Sequence, residues 1–178
     1  CRVTIPLAKS FWLSKKAGHK YWIQPKISSE STKNIIFEIH HGEGHPIDGT
    51  IKRNGATCIS CGHSVKLDYI KNKGLSKRIS YVLMAIVVVH KRKKIYLTPN
   101  REQIDTANDI TKPKWYPDEN LSTHPQYMGP PRYGFTNMSD LYTNRQLVAL
   151  TSFIDELLNI KDIIVKDAIT TGLINDEI

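Results

Sequence analysis

Gly55-Ala56-Thr57-Cys58-Ile59-Ser60-Cys61-Gly62 is the stretch on which the reading of this chain turns. Two cysteines separated by two residues set two thiols on one tight turn, where both can ligate a single metal ion. The glycine that follows lets the backbone fold back beneath it. A structural zinc takes four ligands, so this knuckle is half a site. Cys1 is the other thiol of the chain and lies far upstream. That gap is too long for a compact ribbon loop but workable if strands are inserted between the two halves. The fourth ligand is open among His63, His40, His41, His45 and a cysteine upstream of Cys1. Two other readings of the pair compete. A redox Cys-x-x-Cys pair starts a helix, and no such context is visible here; alternatively, the two thiols are free and have no role. His40–His41 and His45 suit strand-end and turn positions, and His19, His90 and His124 carry no pattern.

Outward from the knuckle the chain reads as short strands punctuated by turn chemistry. Tyr21–Lys26 is one strand. Ile35–His40 is a better one, with Ile35, Phe37 and Ile39 on one face and Ile36, Glu38 and His40 on the other. Gly42 and Gly44-His45-Pro46 interrupt, Gly49–Lys52 restarts a strand, and Asn54-Gly55 turns it back. Leu67–Lys73 reads as a short helix ending at Gly74. Ser80–His90 is a strongly apolar, β-branched strand whose hairpin partner is Lys94–Thr98, with Lys91–Lys94 at the tip. Thr98-Pro99 opens a polar helix to about Ile110, with Thr98 as cap. Residues 111–139 form a proline-rich connection bearing Trp115, Tyr116, Tyr127 and Tyr133. Thr143-Asn144-Arg145-Gln146 has capping-box spacing, and Leu147, Leu150, Ile154, Leu157, Leu158 and Ile164 follow at helical spacing. A break at Lys161-Asp162 is expected, with a second helical stretch stopped by Gly172. The fold class expected is therefore α+β: a zinc-ribbon-like antiparallel β module over 1–66, then an α+β remainder over 67–178. That remainder carries a hairpin over 80–98 and C-terminal helices over 143–171.

Charge is distributed unevenly along the 178 residues. The net charge of +8 divides into +13 over residues 1–94 and −5 over residues 95–178. The basic half clusters at Lys15-Lys16-Lys20, Lys52-Arg53, Lys71–Arg78 and Lys91–Lys94. Such asymmetry points one face toward a polyanion, nucleic acid being the commonest in the cytoplasm; solvated turns that collect lysines are the plainer explanation. The longest apolar run, Tyr81–Val89, is about half of what a membrane-spanning helix needs. Three cysteines exclude a secreted disulfide framework. Without a leader of basic then apolar residues, a cytoplasmic location is expected. A chain that begins at Cys1 reads as a piece of something longer.

Catalytic motifs are missing. There is no Gly-rich phosphate loop, no nucleophile elbow and no pair of helical metal-binding histidines. Gly129-Pro130-Pro131-Arg132-Tyr133 differs from the Asp/Asn-Pro-Pro-Tyr/Phe signature of amino-methyltransferases. It lacks the acidic or amide residue that would hold the target amine, and an arginine intervenes before the tyrosine.

Three blocks together resemble an internal segment of the zinc-ribbon-containing, adenine-specific DNA methyltransferases, a family with a domain of unknown function at its N-terminus. The first is Ile5-Pro6-Leu7-Ala8-Lys9-Ser10-Phe11-Trp12-Leu13-Ser14-Lys15-Lys16 followed by Gly18-His19-Lys20. The second is Gly49-Thr50 leading through Gly55-Ala56-Thr57-Cys58 to Cys61-Gly62. The third is Tyr133-Gly134, then Asp140–Thr151. The resemblance implies that Cys1 is the second cysteine of a first knuckle, with its partner a few residues upstream, and that Cys58 and Cys61 form the second knuckle. It also implies S-adenosylmethionine as cofactor of the parent chain, with no cofactor or catalytic position in these residues.

The expected function is that of a non-catalytic insert holding structural zinc through Cys1, Cys58 and Cys61, which grips or orients DNA beside a catalytic domain. Lys15, Lys16, Lys20, Lys52 and Arg53 would contact phosphates. Trp12 and Trp22 are placed to stack on a base or to pack in the core. The alternative is a structural or protein-interaction module, docked on other domains of the parent chain, in which zinc only staples the strands. That reading expects an exposed apolar stripe including Leu147, Leu150, Ile154 and Leu157. An independent enzyme is the weakest of the three.

Overall fold

The computed structural model describes residues 1–28, 34–124, 126 and 129–173. Alternating strand segments around Trp22 form a first antiparallel sheet, in the order β1 (Trp12–Lys16), β2 (His19–Ile27), β3 (Ile35–His41). Ile23 sits opposite Ile39 and Pro25 opposite Phe37. β1 pairs no further along β2 than Trp22. Beyond Ile23, whose N–H still donates to the Phe11 carbonyl, β2 is an edge strand, which is where a proline without an N–H can stand in a sheet. A second small sheet runs β4 (Ile51–Lys52), β5 (Gly55–Thr57), β6 (Ser64–Lys66), and leads directly into α1 (Leu67–Leu75). The third is the hairpin β7 (Ile86–His90) with β8 (Lys93–Leu97), followed by α2 (Arg101–Asn108). α3 (Asn144–Thr170) closes the described chain. The fold is thus α+β, as expected, with three small antiparallel sheets and a C-terminal helix.

Several elements differ from expectation, each for a local reason. α2 is capped by Asn100 in a reciprocal capping box with Gln103, not by Thr98. The Thr98 hydroxyl instead accepts the Ile39 N–H, tying the end of β8 to β3. The C-terminal segment is one 27-residue helix without a break at Lys161-Asp162. Both residues are tolerated in a helix interior, and neither proline nor glycine occurs before Gly172, which takes φ +70° beyond the end. The apolar run does not pair from Ser80: β7 begins only at Ile86. The proline-rich connection contains two 3-10 turns, Pro130–Tyr133 and Met138–Leu141. Tyr127 lies outside the described residues.

The Gly129–Tyr133 segment has a packing role. Its turn lies against α1, where a Cβ on Gly74 would stand 2.1 Å from the Tyr133 carbonyl oxygen. The Asp140–Gln146 block is likewise accounted for by two successive capping boxes. Asn137 with Asp140 caps the second 3-10 turn, and Thr143 with Gln146 caps α3.

Burial is sparse. Among the described residues the buried apolar side chains are Phe11, Trp22, Ile23, Ala56, Cys58, Ile70, Leu121 and Leu147, of which Phe11 and Leu147 are fully buried. The accessible surface is 13685 Å², whereas a monomer of this mass ordinarily exposes about 9,000 Å². Bare apolar side chains on α3 and on β7 contribute to the excess. Val87, Val88 and Val89 are 52, 41 and 67 % exposed, and every residue of α3 from Ser152 to Asp167 is exposed. No helix of the described residues is long and apolar enough to cross a membrane.

Candidate metal centre

What brings Cys1 to the knuckle is a seam between residues 6–10 and 48–51. The buried Thr50 hydroxyl accepts the Ala8 N–H at 3.0 Å and donates to the Pro6 carbonyl. The Ile51 N–H donates to the Ala8 carbonyl, and Ser10 bridges to Asp48. Gly49 permits the approach: a Cβ there would lie 2.0 Å from the Lys9 carbonyl oxygen. Gly55, at φ +144°, has the same function on the other side, where a Cβ would meet the Val65 carbonyl oxygen at 1.9 Å. Gly49 and Gly55 of the second sequence block are therefore places where two backbones touch.

The knuckle folds as a closed turn. The Cys58 N–H donates to the His63 carbonyl, and the Gly62 N–H to the Cys58 carbonyl, with Gly62 at φ +69°. All three sulfurs of Cys1, Cys58 and Cys61 lie within 4.8 Å of one another. The Cys1 and Cys58 sulfurs are 3.6 Å apart. Four sulfurs held 2.3 Å from a tetrahedral metal stand about 3.8 Å apart, whereas a disulfide requires about 2.05 Å. The spacing fits ligands to one ion, and all three thiols are free. Cys58 is buried while Cys1 and Cys61 are exposed. Burial pushes the Cys58 thiol up, but the backbone N–H groups of Cys61 and Ser60 and the Cys61 side chain outweigh it. The thiol therefore rests below its ordinary value. Donors aimed at the sulfur favour the thiolate, which is the metal-binding form.

Among the described residues no fourth ligand joins this cluster. Of the histidine candidates, His40 lies 3.3 Å from the Glu38 carboxylate and beside Trp22, and His41 packs against Tyr21. His63 contributes its carbonyl to the turn, and its side chain, like that of His45, is outside the cluster. A cluster of three thiolates can hold a thiophilic ion such as zinc or copper(I).

The basic residues singled out from sequence fall on two separate turns. Lys15 and Lys20 are direct cross-strand partners at the β1–β2 tip, with Lys16 opposite His19. Lys52 and Arg53 lie at the β4–β5 turn, where Lys52 pairs with Asp48 at 3.6 Å. Lys20 reaches Glu43 at 3.4 Å. Trp22 is buried and meets Trp12 edge-to-face at 5.8 Å between ring centroids, with the Lys15 ammonium 5.9 Å from the Trp12 ring. Trp22 is thus core, and only the half-buried Trp12 borders the lysines. Sequence reasoning missed Thr50, whose hydrogen bonds span more than 40 positions, and it gave His19 no role.

The two best-formed concavities are open. One runs along α2 beside Arg101, Glu102 and Asp105, and the other lies between Tyr81, Pro130, Tyr133, Phe135 and Leu141. The first is lined by polar side chains of the one helix and its end, and the second mainly by apolar and aromatic ones. No protein-family model, no curated protein and no solved structure matches this chain.

Proposed function

We propose that the chain is a zinc-stapled, non-catalytic module that holds DNA beside a catalytic domain, as an insert of an adenine-specific DNA methyltransferase would. The observation that carries the metal half is the convergence of Cys1, Cys58 and Cys61 within one coordination radius across a seam closed by Thr50. Zinc is the ion best suited to all-thiolate tetrahedral ligation without redox chemistry, and three free thiols accord with a reducing cytoplasm. The DNA half is supported by the β1–β2 tip. Lys15 directly opposite Lys20 is a like-charge pair, offset on the Lys20 side by the exposed Glu43, and a phosphate at the tip would relieve the rest of the repulsion. Lys52 and Arg53 extend the same reading to a second turn. S-adenosylmethionine belongs to the parent chain only. Purified protein is tested for zinc by elemental analysis and for duplex binding by fluorescence anisotropy at several salt concentrations. One zinc per chain and affinity that falls steeply with salt support the reading. Absence of zinc, or binding indifferent to salt, removes it.

A second reading has its own observation, the bare α3. Nine apolar side chains from Leu150 to Val165 are 39 to 74 % exposed, although Leu147, expected in the same stripe, is fully buried. At about 200 Å² for each large side chain they leave roughly 900 Å² of apolar surface, what one partner brings to an interface of standard size. α3 carries three cations and four anions, so little charge opposes pairing with a second copy of this chain.

A further inference from the structure

The tips of β1–β2 and β7–β8 lie side by side, and the register of three contacts establishes it. The His19 ring nitrogen Nε2 lies 2.9 Å from the Lys94 carbonyl oxygen, to which it donates. Two residues further along each strand, the rings of Tyr21 and Tyr96 pack tilted at 45° with centroids 5.0 Å apart. Two residues further again, the Thr98 hydroxyl accepts the N–H of Ile39, the cross-strand partner of Ile23. β2 and β8 therefore leave their tips in the same direction. Lys16 shares the His19 face of its tip and so lies on the side of Lys91 through Lys94, while the Lys15–Lys20 pair flanks the same tip on its other face.

We infer that the two tips form one binding surface for the phosphodiester backbone of nucleic acid, with Lys91, Arg92, Lys93 and Lys94 as contact residues alongside Lys15, Lys16 and Lys20. This deepens the DNA reading above and rests on it. Within the seven cations, only Lys20 has an acidic partner at ion-pair distance among the described residues, the exposed Glu43. Lys91 and Arg92 are the central residues of the β7–β8 turn and take φ +46° and +65°. Hairpin turns of that shape favour Asn-Gly, and side chains there are strained. The chain thus carries cations at two positions where backbone chemistry asks for none. Tyr21 and Tyr96 sit behind the tips and fix their spacing. An anionic membrane would also attract the charge, but the turns themselves are Ala17-Gly18 and Lys91-Arg92, and neither carries the large apolar side chain that would insert into a bilayer.

The test replaces Lys91→Asn and Arg92→Gly together, which removes two cations while giving the turn the residues it prefers, so misfolding is not expected to confuse the result. Anisotropy with a fluorescein-labelled 20-base-pair duplex reads log affinity against log salt. Loss of two phosphate contacts lowers the magnitude of the slope by about 1.8. A control with Lys161→Gln and Lys166→Gln removes the same charge from α3 and leaves the slope unchanged. Equal slopes for the turn variant and wild type overturn this inference and leave the parent reading standing. A wild-type protein that does not bind duplex at low salt overturns both. Equal losses in turn variant and control reduce the effect to net charge and overturn the two-tip surface. Capture by phosphatidylserine vesicles without duplex binding assigns the charge to a membrane and refutes it.

Discussion

Replacing Thr50 with valine separates the thiol cluster from the seam that assembles it. Valine keeps the shape and the burial of a residue only 2 % exposed. It abolishes both hydrogen bonds, leaving the Ala8 N–H and the Pro6 carbonyl without partners. At about 1 kcal/mol for each lost bond, closing the seam becomes harder by about 2 kcal/mol. Cys1 reaches Cys58 and Cys61 only when the seam is closed, so that cost is transferred to the metal. The apparent zinc affinity is expected to weaken by up to about 30-fold. Cys1→Ser, which removes the ligand itself, sets the ceiling for the loss. The assay is competition for zinc against a chromophoric chelator at fixed pH, with circular dichroism confirming that both variants fold. If Thr50→Val binds zinc within about threefold of wild type while Cys1→Ser does not, the seam does not position Cys1 and the reasoning fails.

Other expectations follow from the same geometry. Cys58→Ser and Cys61→Ser each reduce bound zinc to background and lower the thermal midpoint; retention of full zinc by either refutes its assignment as a ligand. Gly49→Ala, whose Cβ would lie 2.0 Å from the Lys9 carbonyl oxygen, forces the seam apart and lowers zinc affinity without removing a ligand. Asp140 is raised by burial but more strongly lowered by the N–H groups of Asn137 and Thr136 and by the nearby Lys77 and Lys112, so its folded-state value is depressed. Its contribution is present above the unfolded value near pH 3.9 and disappears as pH falls through the folded one. Asp140→Asn is expected to lower the melting temperature by about 2–4 °C at pH 7, with the difference closing in acid; a pH-independent difference contradicts it. Leu157→Glu, on the bare face of α3, converts a concentration-dependent mass in light scattering to a constant monomer mass; a monomeric wild type refutes self-pairing.

Strand segments with clean alternation, such as Ile35–His41, and the glycine-flanked knuckle were legible because their signals are local. β1 was not read, since its partner register slips between Trp12 and Ser14 and its residues are largely polar. Cys1 was legible as the remaining thiol, a reading the resemblance reinforced, but the Thr50 seam that brings it to Cys58 is a long-range arrangement with no local signature. The β8–β2 contact through His19 was invisible for the same reason. The start of α2 went wrong because Asn100 and Thr98 are both competent caps, and the second was recruited by β3. Helical periodicity in α3 was correct as to helix, but an apolar stripe cannot say whether anything covers it.

The large accessible surface has a thermodynamic consequence. An extended chain of 20.3 kDa exposes about 29,000 Å². Folding to 13685 Å² hides about three quarters of what an ordinary domain of this length hides. Heat-capacity change and urea m-value scale with that hidden area, so both should fall about a quarter below the norm for the chain length. Its unfolding transition is correspondingly broad. Binding whatever covers α3 would sharpen that transition as well as raise its midpoint.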